Sequence, residues 1–119
     1  MARFPPAVRI RKGSDIRGLF ARGKRARTRH LDVIFAPSPL SHSRFGVVVP
    51  KHRHRIVDRN LLKRRIREIA RRDLLPRLKE GGVTVDLLVR ARREAYDAGF
   101  DELRSELMEW MDRRWFVES

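Results

Sequence analysis

Cysteine is absent from all 119 residues, which removes disulfides, thiolate catalysis and cysteine-based zinc sites at once. Whatever holds this fold must be packing. Long apolar runs are missing too: no stretch approaches the ~18 residues that a membrane helix needs, and no signal-peptide layout opens the chain. A cytoplasmic protein with no membrane partner is expected. Acids are scarce, 15 against 29 Lys+Arg, for a formal charge of +14 and a pI near 11.6. Such an imbalance points to a nucleic-acid partner. The length excludes a large two-domain architecture and fits one RNA-binding domain over residues 1–119, with 1–7 as a flexible arm.

The charge is concentrated in residues 51–72, KHRHRIVDRNLLKRRIREIARR, where ten Lys/Arg face two acids. At ~100° per residue, Val57, Leu61, Leu62, Ile66, Ile69 and Ala70 form one broad apolar sector. Asn60, Lys63, Arg64, Arg67 and Arg71 form a polar stripe on the opposite side, with Arg59 at its edge. A solvated helix usually interleaves charge signs at i,i+4, and this stripe holds no acid. Its neighbours lie about 6 Å apart, a spacing compatible with successive phosphates. The pattern predicts a helix with one face in a core and another on a polyanion.

Elsewhere, Pro5-Pro6 marks an extended start, with Arg3 and Phe4 unassigned. A short helix over residues 14–22, capped by Ser14 or Gly13 and stopped by Gly23, places Ile16, Leu19 and Phe20 on one face. KRARTR at 24–29 is a second basic block. Residues 30–36 and 83–90 alternate as half-buried strands, and FGVVV at 45–49 reads as a more buried one. The basic helix should stop near Leu75-Pro76, before the Gly81-Gly82 turn. A last helix over 101–114 carries Leu103, Leu107, Trp110 and Met111 at core spacing, with Phe100 as a staple. From Asp101 onward there are six acids and three arginines, an unlikely RNA surface.

The order α-β-β-α-β-α predicts an α+β fold with a small mixed sheet and helices on one face. If strands 45–49 and 83–90 are parallel neighbours, the basic helix is their crossover, and the handedness rule favours a right-handed one.

Protein-borne catalysis has little support. There is no G-x-S-x-G elbow and no P-loop, since Gly81-Gly82 lacks a G-K-[ST] sequel. His52 and His54 could chelate a metal, but the adjacent cations favour phosphate or solvent contact. Asp32, Asp86, Asp97 and Asp101 form no recognised two-metal cluster. No catalytic or metal-ligating residue is therefore assigned.

Residues 59–68, RNLLKRRIRE, resemble the RNR signature of the bacterial ribonuclease P protein subunit. Ile16…Phe20-x-x-Gly23-Lys24, Arg29 before the first strand, FGVVVPK at 45–51 and the strand at 86–89 resemble that family in order and spacing. The resemblance implies a left-handed crossover and a protein that binds the catalytic RNA and the 5′ leader of precursor tRNA. On that view the RNA subunit, with Mg²⁺, frees the mature tRNA 5′ end, and no protein partner is implied. Carried over by position, Lys51, Arg59, Asn60, Lys63, Arg64 and Arg67 meet the RNA subunit, with Arg71 further along the same stripe. Ile16, Phe20 and Ile34 match the leader cleft, where Arg27 and Arg29 would supply charge. Two departures stand out. The third signature residue, usually Arg, is Leu61, and the commonly aromatic cleft positions are Ile16 and Ile34. The rival readings are a ribosomal or assembly-type RNA binder, a stand-alone nuclease and, more weakly, a major-groove DNA binder.

Overall fold

The computed structural model describes residues 5–51 and 53–116, so Arg3, Phe4 and His52 lie outside the described residues. A short 3₁₀ turn, Pro6–Val8, leads to α1, Gly13–Arg22. Three strands follow: β1, Lys24–Arg27; β2, Leu31–Pro37; and β3, Arg44–Val48. The basic segment forms α2, Ile56–Ile69, which continues through a π turn, Ala70–Leu74, into α3, Leu75–Glu80. Strand β4, Val85–Ala91, a 3₁₀ turn, Arg93–Asp97, helix α4, Phe100–Met111, and a π turn, Asp112–Phe116, complete the chain. The sheet order is β1-β2-β4-β3, parallel between β3 and β4 and antiparallel elsewhere.

Alternation along β2 and β4 divides the core. Leu31, Val33 and Phe35 with Val85, Leu87 and Val89 enter the larger cluster, beneath Leu62, Ile66 and Ile69 of α2 and Leu103 and Leu107 of α4. Burying each such side chain contributes about 1.5–3 kcal/mol. Ile34, Ala36 and Leu88 point the other way, against Leu19 of α1 and Ile10. The expectation of helices on one face therefore holds for α2, α3 and α4, while α1 covers part of the second face. Leu88 supplied the missed signal, since a leucine on a supposedly open face needs a cover.

Phe45 sends its side chain into the larger cluster and its carbonyl toward Ile10, whose N–H donates to it at 2.9 Å. The other edge of β3 therefore faces β4. For L residues this places β4 to the left of an upward-running β3 seen from the α2 side. The β3-α2-β4 crossover is left-handed, against the general preference. Gly46 permits the Ile10 segment to lie this close, because a Cβ there would stand 2.9 Å from Leu88 Cδ1 and 3.0 Å from Ile10.

Three boundaries differ from expectation. β1 was hidden in the second basic block: Lys24 to Arg27 pair with Phe35 to Asp32, although an edge strand of three cations carries no hydrophobic alternation. Pro76 does not stop the helix. Leu75 N–H donates to Ala70 O, the wider i→i+5 step, and Pro76 then occupies the first turn of α3, where its missing N–H costs little. Lys12, not Ser14 or Gly13, sits at the N-cap of α1 and makes no side-chain cap bond.

Candidate nucleic-acid interfaces

Helix α2 meets the core through Leu62, Ile66, Ile69 and the adjoining Ala70, a narrower arc than the periodicity predicts. Val57 and Leu61, which the periodicity places in that arc, are 66% and 43% exposed, beside Ile56 at 67%. The first turn of α2 buries nothing. Asn60, Arg64 and Arg67 are exposed on the outer side, Lys63 is half-buried, and Lys51 is exposed beyond β3.

Two members of the predicted stripe are engaged within the protein. Arg59 turns inward, and its Nη2–H donates to Val49 O at 3.4 Å. Arg71 forks onto Glu68, with Nε–H donating to Oε2 at 3.1 Å and Nη2–H to Oε1. That pairing raises the Arg71 pKa and holds the Glu68 carboxyl below its ordinary value. Arg67 is shifted downward, by desolvation first and then by the charge of Arg9. Arg9 is thus a cation at the stripe that the sequence reading did not place there. It bridges to Phe45 in parallel fashion, a long-range pairing with no local signal.

Behind the stripe, Tyr96 fixes the entry loop. Its hydroxyl donates to Pro50 O at 3.0 Å, and the His54 ring stacks on it at 3.6 Å with a 4° interplanar angle. Burial raises the Tyr96 pKa, with smaller effects from Arg59, which lowers it, and from Asp58, which raises it. The structure therefore gives His54 a stacking partner in the protein, where the sequence favoured phosphate or solvent contact. Among the described residues, no three His, Asp or Glu side chains are grouped to hold a metal ion. Asp32 pairs with Arg27 and Asp86 with Arg44, so both serve as ion-pair partners.

A second cationic surface lies on the α1 side of the sheet. Phe20, Arg25, Ala26, Arg27, Asp32, Ile34 and Arg90 line a cleft of about 200 Å³. The Arg25 guanidinium lies 5.4 Å from the Phe20 ring centre, and its Nη2–H donates to Phe20 O at 3.1 Å. Arg27 Nε–H donates to Asp32 at 2.9 Å. Ile34 is 1% exposed, so it floors the cleft without offering a face, and Ile16 packs in the cluster beneath.

Arg29 is elsewhere. The turn that carries it is anchored to α4: His30 N–H donates to Glu106 Oε2 at 2.9 Å, and His30 Nδ1 lies 2.6 Å from Oε1. Arg29 itself reaches Glu102 at 3.8 Å. Arg25 and Arg90 are the cleft cations that the sequence reading missed. For Arg90 the alternation of 83–90 contained the signal, since it sets Arg90 on the face of Asp86 and Leu88; Arg25 had none, because its pairing with Ile34 is set by a strand without apolar alternation.

The profile of the Ribonuclease P family matches residues 4–114. The chain belongs to the ribonuclease P protein family. The ribonuclease P protein component of Syntrophobacter fumaroxidans is 43% identical over 67 residues, 56% of this chain and 56% of that protein. The component of Thermus oshimai is 36% identical over 107 residues, 90% of this chain and 65% of its own length. The chain thus spans less than two thirds of both relatives. The solved ribonuclease P protein of Staphylococcus aureus superposes with a TM-score of 0.77 at 26% identity, covering 92% of this chain and 98% of that one. The family match overlies both cationic surfaces and the left-handed crossover that turns α2 onto the sheet. Among the described residues, no helix is long and apolar enough to cross a membrane.

Proposed function

We propose that this chain is the protein subunit of a ribonuclease P ribonucleoprotein. The outer face of α2, through Lys51, Asn60, Lys63, Arg64 and Arg67, binds the catalytic RNA. The Phe20 cleft, with Arg25, Arg27 and Arg90, takes the single-stranded 5′ leader of precursor tRNA. The separation of these surfaces carries the reading, since α2 packs on one face of the sheet and α1 with the cleft on the other. A protein so built can touch two RNAs at once, whereas a plain ribosomal binder needs one such surface.

Mg²⁺ would enter with the RNA subunit and support hydrolysis of the phosphodiester there. The side chains of this chain bind and orient RNA; none is assigned a proton-transfer or metal-binding role. Arg59 and Arg71, with internal partners at Val49 and Glu68, chiefly set the shape of the α2 surface.

Reconstitution tests the proposal. Added to a ribonuclease P RNA at low Mg²⁺, the protein should restore cleavage of precursor tRNA at the mature 5′ end and leave a 5′-phosphate on the tRNA. Equal binding of unrelated structured RNAs with no gain in cleavage would favour the assembly-protein reading. Cleavage by RNA-free protein would favour the nuclease.

A further inference from the structure

The junction of α1 and β1 separates two cavities. One is the Phe20 cleft. The other, about 280 Å³, opens at the end of the sheet between Phe35 of β2 and Trp115 of the C-terminal turn, with Arg22, Lys24 and Arg114 among its lining residues. No acid lines it.

Phe35, Trp110 and Trp115 form an edge-to-face triad with centroid separations of 5.3–5.5 Å. The Arg114 guanidinium lies 5.1 Å from the Phe35 ring centre and 5.6 Å from that of Trp115. Lys24 is the register partner of Phe35 and so shares its face of the sheet. Among the described residues, no acid pairs with Lys24 or Arg114. Arg22 approaches Asp86 at 4.0 Å, but that carboxylate is already held by Arg44 at 2.6 Å. Core packing accounts for Phe35 and Trp110. It does not account for three cations gathered at an apolar opening, where their mutual repulsion favours an anion.

We propose that this pocket holds one nucleotide of single-stranded RNA, its base against Trp115 and its phosphate between Lys24 and Arg114. Such a wall and rim match the requirements of unstacked RNA, an aromatic face for the base and fixed positive charge for the backbone. β1 makes the path continuous. Arg25 and Arg27 line the cleft, Lys24 lines the pocket, and the strand stands at the sheet edge. A leader that leaves the cleft thus continues around β1. This inference rests on the leader reading of the cleft.

The test compares oligoribonucleotides of about 4 and about 12 nucleotides, a span typical of single-strand sites, on the full chain. Wild-type protein should bind the longer one more tightly, with quenching of tryptophan fluorescence. Lys24→Ala, Arg114→Ala and Trp115→Leu should each lose about five- to tenfold on the longer oligonucleotide while keeping the affinity for the shorter. The two cation variants replace exposed side chains, so they decide the matter if Trp115→Leu fails to fold. Unchanged affinity for the longer strand in both cation variants would overturn the pocket. An equal loss on both lengths would also overturn it, since that describes a diffuse field. Wild-type protein that binds neither length overturns the cleft reading and this one together.

Discussion

At the scale of single residues, where the fold places each cation, more than its charge, decides which surface it serves. Arg64 and Arg67 face outward on α2, while Arg59 and Arg71 are engaged by Val49 and Glu68. Arg29 and Arg27 are two residues apart, yet one lies against α4 and the other in the cleft. Phe20→Ala should therefore weaken leader-dependent affinity about tenfold, in line with loss of one base stack, whereas Arg29→Ala should change it less than twofold. Titration of short and long-leader precursors checks both; the reverse ranking would move the leader to the α4 side. These distinctions were only half legible in the sequence. Residue type and helical phase marked Asn60, Lys63, Arg64 and Arg67, but the partners of Arg59 and Arg29 come from segments 10 and 73 residues away. No local pattern reports such contacts.

At the scale of elements, the strand alternations and the helical periods of α1, α2 and α4 were legible because each buries one face. β1 and the extension of α2 through Pro76 were not, since an edge strand of cations has no apolar alternation and a π turn tolerates the proline that normally ends a helix. Asp86 joins the elements of the second face: it accepts from Arg44 at 3.0 and 2.6 Å, and Arg44 reaches Asp15 of α1 at 3.7 Å. Asp86→Ala should destabilise the protein by about 3 kcal/mol by leaving Arg44 without its main partner, read as a lower urea midpoint. A wild-type midpoint would remove that network from the account. On α2, the Glu68 pKa is lowered in the folded state by Arg71. Its stabilising contribution is complete above the unfolded carboxylate pKa and is lost as pH falls through the folded value. Glu68→Gln should flatten the acid limb of the stability profile and leave its slope near neutrality unchanged. An acid limb identical to that of the wild type would contradict this.

At the scale of the whole molecule, the excess of positive charge is divided between surfaces on opposite faces of one sheet, while the acids of α4 neutralise another side. Charge alone indicated a polyanion; the resemblance of residues 59–68 indicated which family; the layered fold sets the two cationic surfaces on opposite faces of the sheet, which supports the proposal that two RNAs are engaged without competing. The sequence could not show this division, because the face on which α1 packs depends on Leu19 meeting Ile34 and Leu88 from distant segments. The central claim is that α2 holds the catalytic RNA and the cleft holds the leader. Its most direct test is a binding measurement on reconstituted holoenzyme with two variants, Arg64→Ala/Arg67→Ala and Phe20→Ala/Arg90→Ala. The first should bind ribonuclease P RNA at least tenfold more weakly with a shallower salt dependence, yet still prefer long-leader precursor once saturated with that RNA. The second should bind the RNA subunit as wild type does and lose the leader preference. Equal losses of both affinities in both variants would contradict the account.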